Sequence, residues 1–207
     1  MRGEAGFAAA PRVFCCLLQV HARRALTLLL FALLAGCAAQ PPAADVEKID
    51  RVLLLIQQRL GYMDDVARNK WNSGAAIEDL PREREIIDGI GQQAAGYGLD
   101  AAIARDFFRA QIEASKIIQN TRFAEWRAAG QPKFATVRDL GREIRPALDV
   151  LTPAMMKALA DALPALQAPG SATTLKARAA TVVSVNPADV PARDAAVAPL
   201  SLLALPR

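Results

Sequence analysis

Apolar side chains return every three or four residues along the first part of the body of the chain. The pattern begins near Asp45, runs to about Asn72 and stops at Ser73 and Gly74. Side chains at this spacing share one face of a helix, so the pattern predicts a long first helix with a buried face. The positions that define this face are Val46, Ile49, Val52, Leu53, Ile56 and Leu60.

Two more helices are indicated by their start signals as well as by their period. Asp79, followed by Pro81 in the first turn, opens a second helix that stops around Tyr97. Asp100 caps a long third helix that ends near Gly130. Aspartate accepts hydrogen bonds from the free amides of a first turn, and proline lacks the amide that such a turn leaves unpaired.

The remaining helical pattern lies C-terminal to the third helix. A fourth segment is predicted from about Phe134, bent or restarted at Pro146, and a fifth from Thr152 to about Leu166. These segments contain no run of alternating β-branched residues, the pattern typical of a strand. The predicted fold class is therefore all-α, a helical bundle over residues 45–167 with long first and third helices.

The C-terminal residues 168–207 differ in composition from the helical segments. They contain no aromatic side chain and are interrupted by five prolines. Such a segment buries little apolar surface by itself, so we expect a poorly ordered extension rich in Ala and Pro. The alternative is an arm docked on the bundle. Residues 181–185 could form a strand, but the sequence offers no evident partner for it.

Residues 1–37 have the features of an export signal. Arg23 and Arg24 precede an apolar run at residues 25–34. As a helix this run would span about 15 Å, half of the hydrocarbon core of a bilayer. A run this short is typical of a signal peptide rather than of a permanent span.

The end of the signal resembles a bacterial lipobox. Residues 34–37 read Leu-Ala-Gly-Cys, and in a lipobox the cysteine, here Cys37, is lipidated and becomes the first mature residue. Conventional cleavage near Ala39 is the alternative. Both interpretations export the body, which we expect in the periplasm, and both leave residues 38–44 as a linker.

The composition removes several classes of chemistry from the body. All three cysteines and the single histidine lie within the first 37 residues. This excludes a disulfide framework, the usual zinc sites, cysteine nucleophiles and Ser-His-Asp triads after that point. The formal net charge of +4 is too small to indicate a nucleic-acid partner. We expect any active site to use Arg, Lys, carboxylates and neutral polar groups, with no metal.

Several charged residues lie close to faces that the apolar pattern would bury. Arg59 and Lys70 are eleven residues apart on the first helix, a spacing that points both the same way at about 100° per residue. Asp79, Arg82 and Glu83 share a face of the second helix. Buried cations need anionic partners because taking a charge out of water is costly.

The third helix adds two neutral polar groups to the same interior. Ser115 and Gln119 are one turn apart and point the same way as Phe108 and Ile112. Because the cations outnumber the acids, the three helices together predict a pocket for a small dianion. Other interpretations stay open: a solvated Arg or Lys, a helix cap for Asp79, and ordinary interhelical hydrogen bonds for the two polar side chains.

Four segments carry a family resemblance. They are DVARNKW at residues 65–71, IEDLPR at 77–82, FFRAQIEASK at 107–116 and RPALD at 145–149. In order and spacing the chain resembles, over about residues 45–165, the secreted chorismate mutases, the gamma class of the all-helical AroQ type. The resemblance implies conversion of chorismate to prephenate by an intramolecular Claisen rearrangement, without cofactor, metal or covalent intermediate. It also implies a homodimer with each site inside one chain.

The resemblance implies roles for the polar residues. Lys70 and Gln119 would donate to the ether oxygen of the breaking C–O bond, and Arg59, Arg82 and Ser115 would bind carboxylates, with Arg82 also near the breaking bond. Some secreted members carry a glutamate in place of Gln119, which must be protonated to donate. A glutamine donates at any pH, so we expect activity to persist above neutral pH.

Three further positions complete the implied site. Glu83 matches a carboxylate that accepts from the substrate hydroxyl, and the backbone of Asp79 contributes. Arg145 fits the arginine of a later helix that completes the site within one subunit. Arg142, one turn earlier, is the alternative to Arg145.

A second hypothesis belongs to a different class of function. The chain would be a non-catalytic helical envelope lipoprotein that binds a small dianion or a protein partner. If it bound a protein partner, it would show a broad exposed apolar stripe and no buried cluster of cations. If it bound a dianion, it would keep Arg59 and Arg82 but would not need Lys70 and Gln119, and the presence of both argues against it.

Overall fold

The computed structural model describes residues 42–203, and within this range the chain is all-helical with no strand. The predicted all-α class is thereby confirmed. The predicted signal segment, with Cys37, and most of the linker lie outside the described residues. None of the helices in residues 42–203 combines the length and the apolar character needed to cross a bilayer.

The predicted first helix is two segments. Helix α1 spans Ala43–Gly61 and helix α2 spans Met63–Ser73, with a break at Tyr62. Tyr62 keeps helical dihedral angles (φ −80°, ψ −12°), and its carbonyl accepts from the amide of Val66 at 3.1 Å. The break is therefore a local irregularity in a nearly continuous helix, which the apolar period could not reveal because the period itself runs on.

The second and third helices form where their start signals predict them. Helix α3 spans Leu80–Gln93, with the Asp79 side chain accepting from the amide of Arg82. A short 3-10 turn, Ala94–Tyr97, continues it. Helix α4 spans Ala101–Ala128, and the Asp100 carboxylate accepts from two amides of its first turn. The caps satisfy backbone donors that would otherwise lack partners.

The predictions for the fourth and fifth segments are confirmed in part. The restart at Pro146 and the end near Leu166 are confirmed, whereas the start near Phe134 and a separate helix from Thr152 are wrong. Phe134 lies in a non-helical connection, which is followed by a single π-turn at Leu140–Ile144. One helix, α5, then spans Arg145–Gln167. Pro146 lies in its first turn, where the missing amide costs nothing, so it marks a beginning rather than a bend.

The expectation of a poorly ordered extension at residues 168–207 is contradicted for the described part. Helix α6 spans Ser171–Val182 and helix α7 spans Val190–Leu202, with a 3-10 turn between them. Their side chains are part of the core, and Leu175, Val183, Ala196 and Leu200 are all buried. Alanine favours helix, and its small side chain allows close packing. The composition of a segment contains no information on the surface on which the segment docks, so it could not predict these helices.

Helix α4 is the central element of the compact unit. It contacts α2, α3 and α7, while α1 packs against α5 and α6. The core is apolar and continuous, with Phe107 and Phe108 of α4 among its largest fully buried side chains. This arrangement leaves a cavity between the first five helices.

Candidate active site

A cavity of about 150 Å³ brings together all eight residues that the sequence predicted for a site. Arg142, the alternative to Arg145, is exposed and does not line this cavity. The eight lining residues are Arg59, Lys70, Asp79, Arg82, Glu83, Ser115, Gln119 and Arg145. They come from α1, α2, the cap and first turn of α3, α4, and the first residue of α5.

Arg59 is the most deeply placed cation of the cavity. It lies in the last turn of α1 and is buried. Its Nε atom has no hydrogen-bond partner among the described residues. Burial lowers the pKa of the Arg59 guanidinium to about 10, although the attraction of Asp149 acts to raise it. A buried guanidinium with a free donor is stabilised when an anion enters the cavity.

Lys70 is half-buried on α2. Its Nζ donates to the carbonyl oxygen of Ile77 at 2.7 Å, which fixes the direction of the side chain. Burial lowers the pKa of the Lys70 ammonium. Asp79 and Glu83 oppose this change, and the positive charge of Arg145 adds to it. An ammonium has three donors, so two remain for a ligand.

Arg82 and Arg145 lie toward the solvent side of the cavity. The Arg82 side chain is 34% exposed and contacts Glu85 at 2.7 Å and Asp149 at 3.9 Å. Arg145 contacts Asp79 at 4.0 Å. Ion pairs this exposed contribute little to stability. A carboxylate ligand can therefore take over these guanidinium groups at small cost.

Ser115 and Gln119 are buried on the face of α4 that lines the cavity. The Ser115 hydroxyl donates to the carbonyl of Gln111 at 2.7 Å, and Gln119 Nε2 donates to the carbonyl of Ser115 at 3.0 Å. Gln119 Oε1 has no partner within residues 42–203. A side-chain amide has two N–H donors, so Gln119 retains one for a ligand.

Asp79 and Glu83 have structural partners as well as positions in the cavity. Asp79 is a helix cap, since its Oδ1 accepts from the amide of Arg82 at 3.2 Å. Glu83 Oε1 accepts from the amide of Asp79 at 3.3 Å, and Glu83 Oε2 accepts from Lys116 Nζ at 3.4 Å. Both carboxylates thus hold the start of α3 in place, and each oxygen has a further lone pair to offer.

Some residues of the cavity were missed by the reasoning from sequence. Leu148, Asp149 and Thr152 follow Arg145 at three, four and seven residues, so they share its face of α5. That spacing was visible in the sequence once Arg145 had been chosen. Lys116 also lines the cavity, and no pattern singled it out because its contact with Glu83 is tertiary.

The charge of the lining defines what the cavity can hold. Five cationic side chains and three carboxylates line it, a formal charge of +2. The rest of the wall is largely apolar, with Val66, Phe108 and Ile112 among its members. Residues 42–203 contain no group of three or more His, Cys, Asp or Glu side chains that could hold a metal ion. The fold and the site together define an all-helical protein with a binding cavity for a small organic dianion.

Comparison with known proteins agrees with this class. The sequence pattern of the family described as chorismate mutase type II matches residues 44–120. The secreted chorismate mutase of Mycolicibacterium smegmatis is 32% identical over 141 residues, which are 67% of this chain and 77% of that protein. The secreted chorismate mutase of Yersinia pestis is 30% identical over 112 residues, 54% of this chain and 60% of that protein.

Solved structures show the same fold. The crystal structure of chorismate mutase from Burkholderia thailandensis has a TM-score of 0.70 and 35% identity, covering 74% of this chain and 98% of that chain. That from Burkholderia phymatum has a TM-score of 0.71 and 29% identity, covering 76% and 98%. The chain belongs to the chorismate mutase family, in its all-helical type, and is an isomerase. The resemblance found in the sequence is confirmed.

The second hypothesis, a non-catalytic envelope lipoprotein, is not favoured. The relatives are chorismate mutases, and the cations of the cavity include the buried Arg59. The exposed large apolar side chains of the described residues each lie on a different helix, so no single helix presents a stripe of them. They are Leu54, Leu80, Val150 and Leu202.

Proposed function

We propose that this exported protein converts chorismate to prephenate within the cavity described above. The single observation that carries the proposal is the +2 lining around a buried guanidinium with an unpartnered Nε. Chorismate has two carboxylates, so its charge complements the lining. The reaction breaks the C–O bond of the ether and forms a C–C bond in the same molecule, so no proton, electron or water has to enter or leave.

Binding would supply part of the catalysis by restricting the substrate to its compact, chair-like form. Arg59, Arg82 and Ser115 are the donors proposed for the carboxylates, and they belong to three different helices. Contacts from three directions oppose the extended forms of the substrate, and the apolar wall keeps water out. Such orientation replaces an unfavourable entropy of activation by binding energy.

The second contribution to catalysis is stabilisation of the negative charge that the ether oxygen gains as the C–O bond breaks. Lys70 and Gln119 are proposed to donate to that oxygen, Lys70 with a free ammonium hydrogen and Gln119 with its second amide hydrogen. Both are already oriented by bonds to backbone carbonyls. Preorganised donors stabilise developing charge without reorganisation at the moment of reaction.

The test is direct turnover. A protein of residues 41–207, which contains all the described helices, is incubated with chorismate. Because substrate and product are isomers of equal mass, the product is identified by NMR. Conversion to prephenate is expected. A folded protein that leaves chorismate unchanged would contradict the proposal, whether or not it binds a chair-like mimic of the transition state.

Export is supported by relatives that are named secreted, and we further propose a lipid anchor at Cys37 in the periplasm. The Leu-Ala-Gly-Cys sequence at residues 34–37 supports it. When the full-length gene product is expressed, metabolic labelling with a radioactive fatty acid should mark the wild type and a Cys15→Ser control but not Cys37→Ser. Label retained in Cys37→Ser would contradict the anchor.

A homodimer with each site inside one chain is also proposed, on the family resemblance. Sedimentation equilibrium of residues 41–207 measures it directly. A mass equal to that of one chain across the micromolar range would contradict it.

A further inference from the structure

A second buried cation lies outside the cavity. Arg122 is on α4, and its side chain is only 9% exposed. Its Nε donates to Asp64 at 2.6 Å and its Nη2 donates to Asp189 at 2.5 Å, while Nη1 contacts Glu125 at 3.4 Å. Asp64 belongs to α2, and Asp189 belongs to the short turn that precedes α7. One guanidinium thus joins α2, α4 and the C-terminal extension, residues 168–203.

The two helices that Arg122 connects carry the two donors proposed for the ether oxygen. Arg122 is three residues after Gln119 on α4, and Asp64 is six residues before Lys70 on α2. The neighbours of Asp64, Met63 and Val66, line the cavity themselves. A shift of α2 along or away from α4 would therefore change the separation of Lys70 and Gln119.

The extension is connected to the site only indirectly. None of its described residues lines the cavity. Its Asp189 carboxylate is only 6% exposed, so it is largely shielded from water, and its Oδ2 accepts from Arg122. A buried pair of this kind tolerates little displacement, because each partner would be left as an uncompensated charge. The planar guanidinium also fixes the directions of its two main contacts, which an ammonium would not do.

We propose that Arg122 is a positioning residue, held by Asp189 of the extension and by Asp64, that sets the separation of Lys70 and Gln119. The extension then acts on turnover without touching the substrate. This inference rests on the proposed function, since Lys70 and Gln119 matter as a pair only if both serve the ether oxygen. Misplacement of a donor by about 1 Å is enough to cost a large factor in rate.

The chain offers a matched control. Arg178 of α6 donates to both oxygens of Asp50 on α1, at 2.7 and 2.6 Å, and is the other charged anchor of the extension described here. Asp50 does not line the cavity. Asp189→Asn and Asp50→Asn each weaken one anchor. The Arg178 side chain is 39% exposed, so Asp50→Asn should lower the midpoint of urea unfolding less than Asp189→Asn does. Only Asp189→Asn should lower kcat, by about tenfold with little change in KM.

The kinetics are measured at a temperature where circular dichroism shows every variant fully folded. Asp64→Asn is the second variant, because the Asp64 side chain is 46% exposed and its loss endangers folding less. It should lower kcat in the same way. Equal kcat for Asp189→Asn, Asp64→Asn and the wild type would overturn the proposal, and so would an equal loss in Asp50→Asn.

A double-mutant cycle separates positioning from general loosening. If Arg122 acts through Lys70, Asp189→Asn should lower kcat much less in a Lys70→Ala background than in the wild type. Full additivity would overturn the proposal. Failure of the wild type to convert chorismate would instead contradict the proposed function itself, so the two failures are distinguishable.

Discussion

Arg59 and Lys70 differ from surface cations in how little water surrounds them. Arg59 is buried and Lys70 half-buried, and burial lowers the pKa of both groups. Burial destabilises both cations, and an anion that enters the cavity offsets this destabilisation. At the scale of single residues, the site is therefore prepared for negative charge before any substrate binds.

Replacing Lys70 tests the donor to the ether oxygen. Lys70→Ala removes a group aimed at the charge that develops in the transition state, so kcat/KM should fall by about 100-fold or more. The control is Lys157→Ala, because the Lys157 side chain is 71% exposed and its partner Asp161 is also at the surface. Steady-state rates of chorismate loss measure both. An unchanged rate in Lys70→Ala would contradict the assigned role.

The pH dependence follows from the protonated state of Lys70. Only the ammonium form of Lys70 carries the positive charge that stabilises the ether oxygen, and its pKa is lowered from the usual 10.5. Activity should therefore be constant through neutral pH and be lost as pH rises through a midpoint below 10.5 in kcat/KM. Loss of the Arg59 charge at about 10 acts in the same direction. The bound dianion favours both cations, so kcat should decline at higher pH than kcat/KM.

Gln119→Glu should make the activity depend on acid. A glutamate donates to the ether oxygen only when protonated, so the activity of the variant should rise as pH falls. The measurement is kcat/KM across the pH range for wild type and variant. A flat profile for Gln119→Glu would show that residue 119 does not donate to the oxygen.

At the scale of elements, α2 holds the non-helical connection that leads from α4 to α5. Asn72 donates to the carbonyl of Phe134 and accepts from its amide, both at 2.8 Å. Asn69 donates to the carbonyl of Arg138, whose side chain contacts Asp65. Aromatic packing covers the same region, through Trp71, Phe123, Trp126 and Phe134. The connection leads into the π-turn that begins at Leu140 and then into α5 at Arg145, and both of these residues line the cavity.

Asn72→Ala should loosen this connection. The substitution removes two half-buried hydrogen bonds and leaves the amide and carbonyl of Phe134 without these partners. The free energy of unfolding should therefore fall by about 1–3 kcal/mol. Urea unfolding measures it, with Asn120→Ala as the control because Asn120 is an exposed asparagine of α4. KM should also rise, since Arg145 follows the connection. Equal stability of the two variants would contradict the conclusion that Asn72 stabilises the connection.

At the scale of the whole molecule, the C-terminal extension belongs to the same core as the cavity. Helix α7 packs against α4, and Gln111 of α4 donates to the carbonyl of Ala196 at 2.9 Å. Arg122 and Asp189 add the buried ion pair between the same two regions. Removal of the extension would expose to water the apolar side chains of α4 that α7 covers.

Truncation after Gln167 should therefore abolish cooperative unfolding, which circular dichroism in urea detects. A milder test is Leu175→Ala, because Leu175 is 0% exposed. It should lower the free energy of unfolding of the whole chain by about 2–5 kcal/mol. Leu202→Ala is the matched control, with 66% exposure. A truncated chain that unfolds cooperatively would mean that the extension is not part of the core.

Much of the candidate site could be predicted from the sequence, and the reason is local. Asp79 and Asp100 mark the starts of α3 and α4 because a cap acts within one turn. Helical spacing indicated that Lys70 and Gln119 turn toward a common interior, and both line the cavity. Their chemical roles came from the family resemblance and stay predictions until the variants are measured.

The helical class, the starts of α3 and α4 and seven of the eight polar residues that line the cavity follow from local patterns in the chain. The eighth, Arg145, was predicted through the family resemblance. Three features became visible only in the folded chain: the break between α1 and α2 at Tyr62, the single helix α5, and the docking of residues 171–202 on the body. The difference lies in the range over which the interactions act. Caps and apolar period act between neighbours along the chain, whereas the free energy that orders the extension comes from burial against α4 and from the Arg122–Asp189 pair, which join residues far apart in sequence.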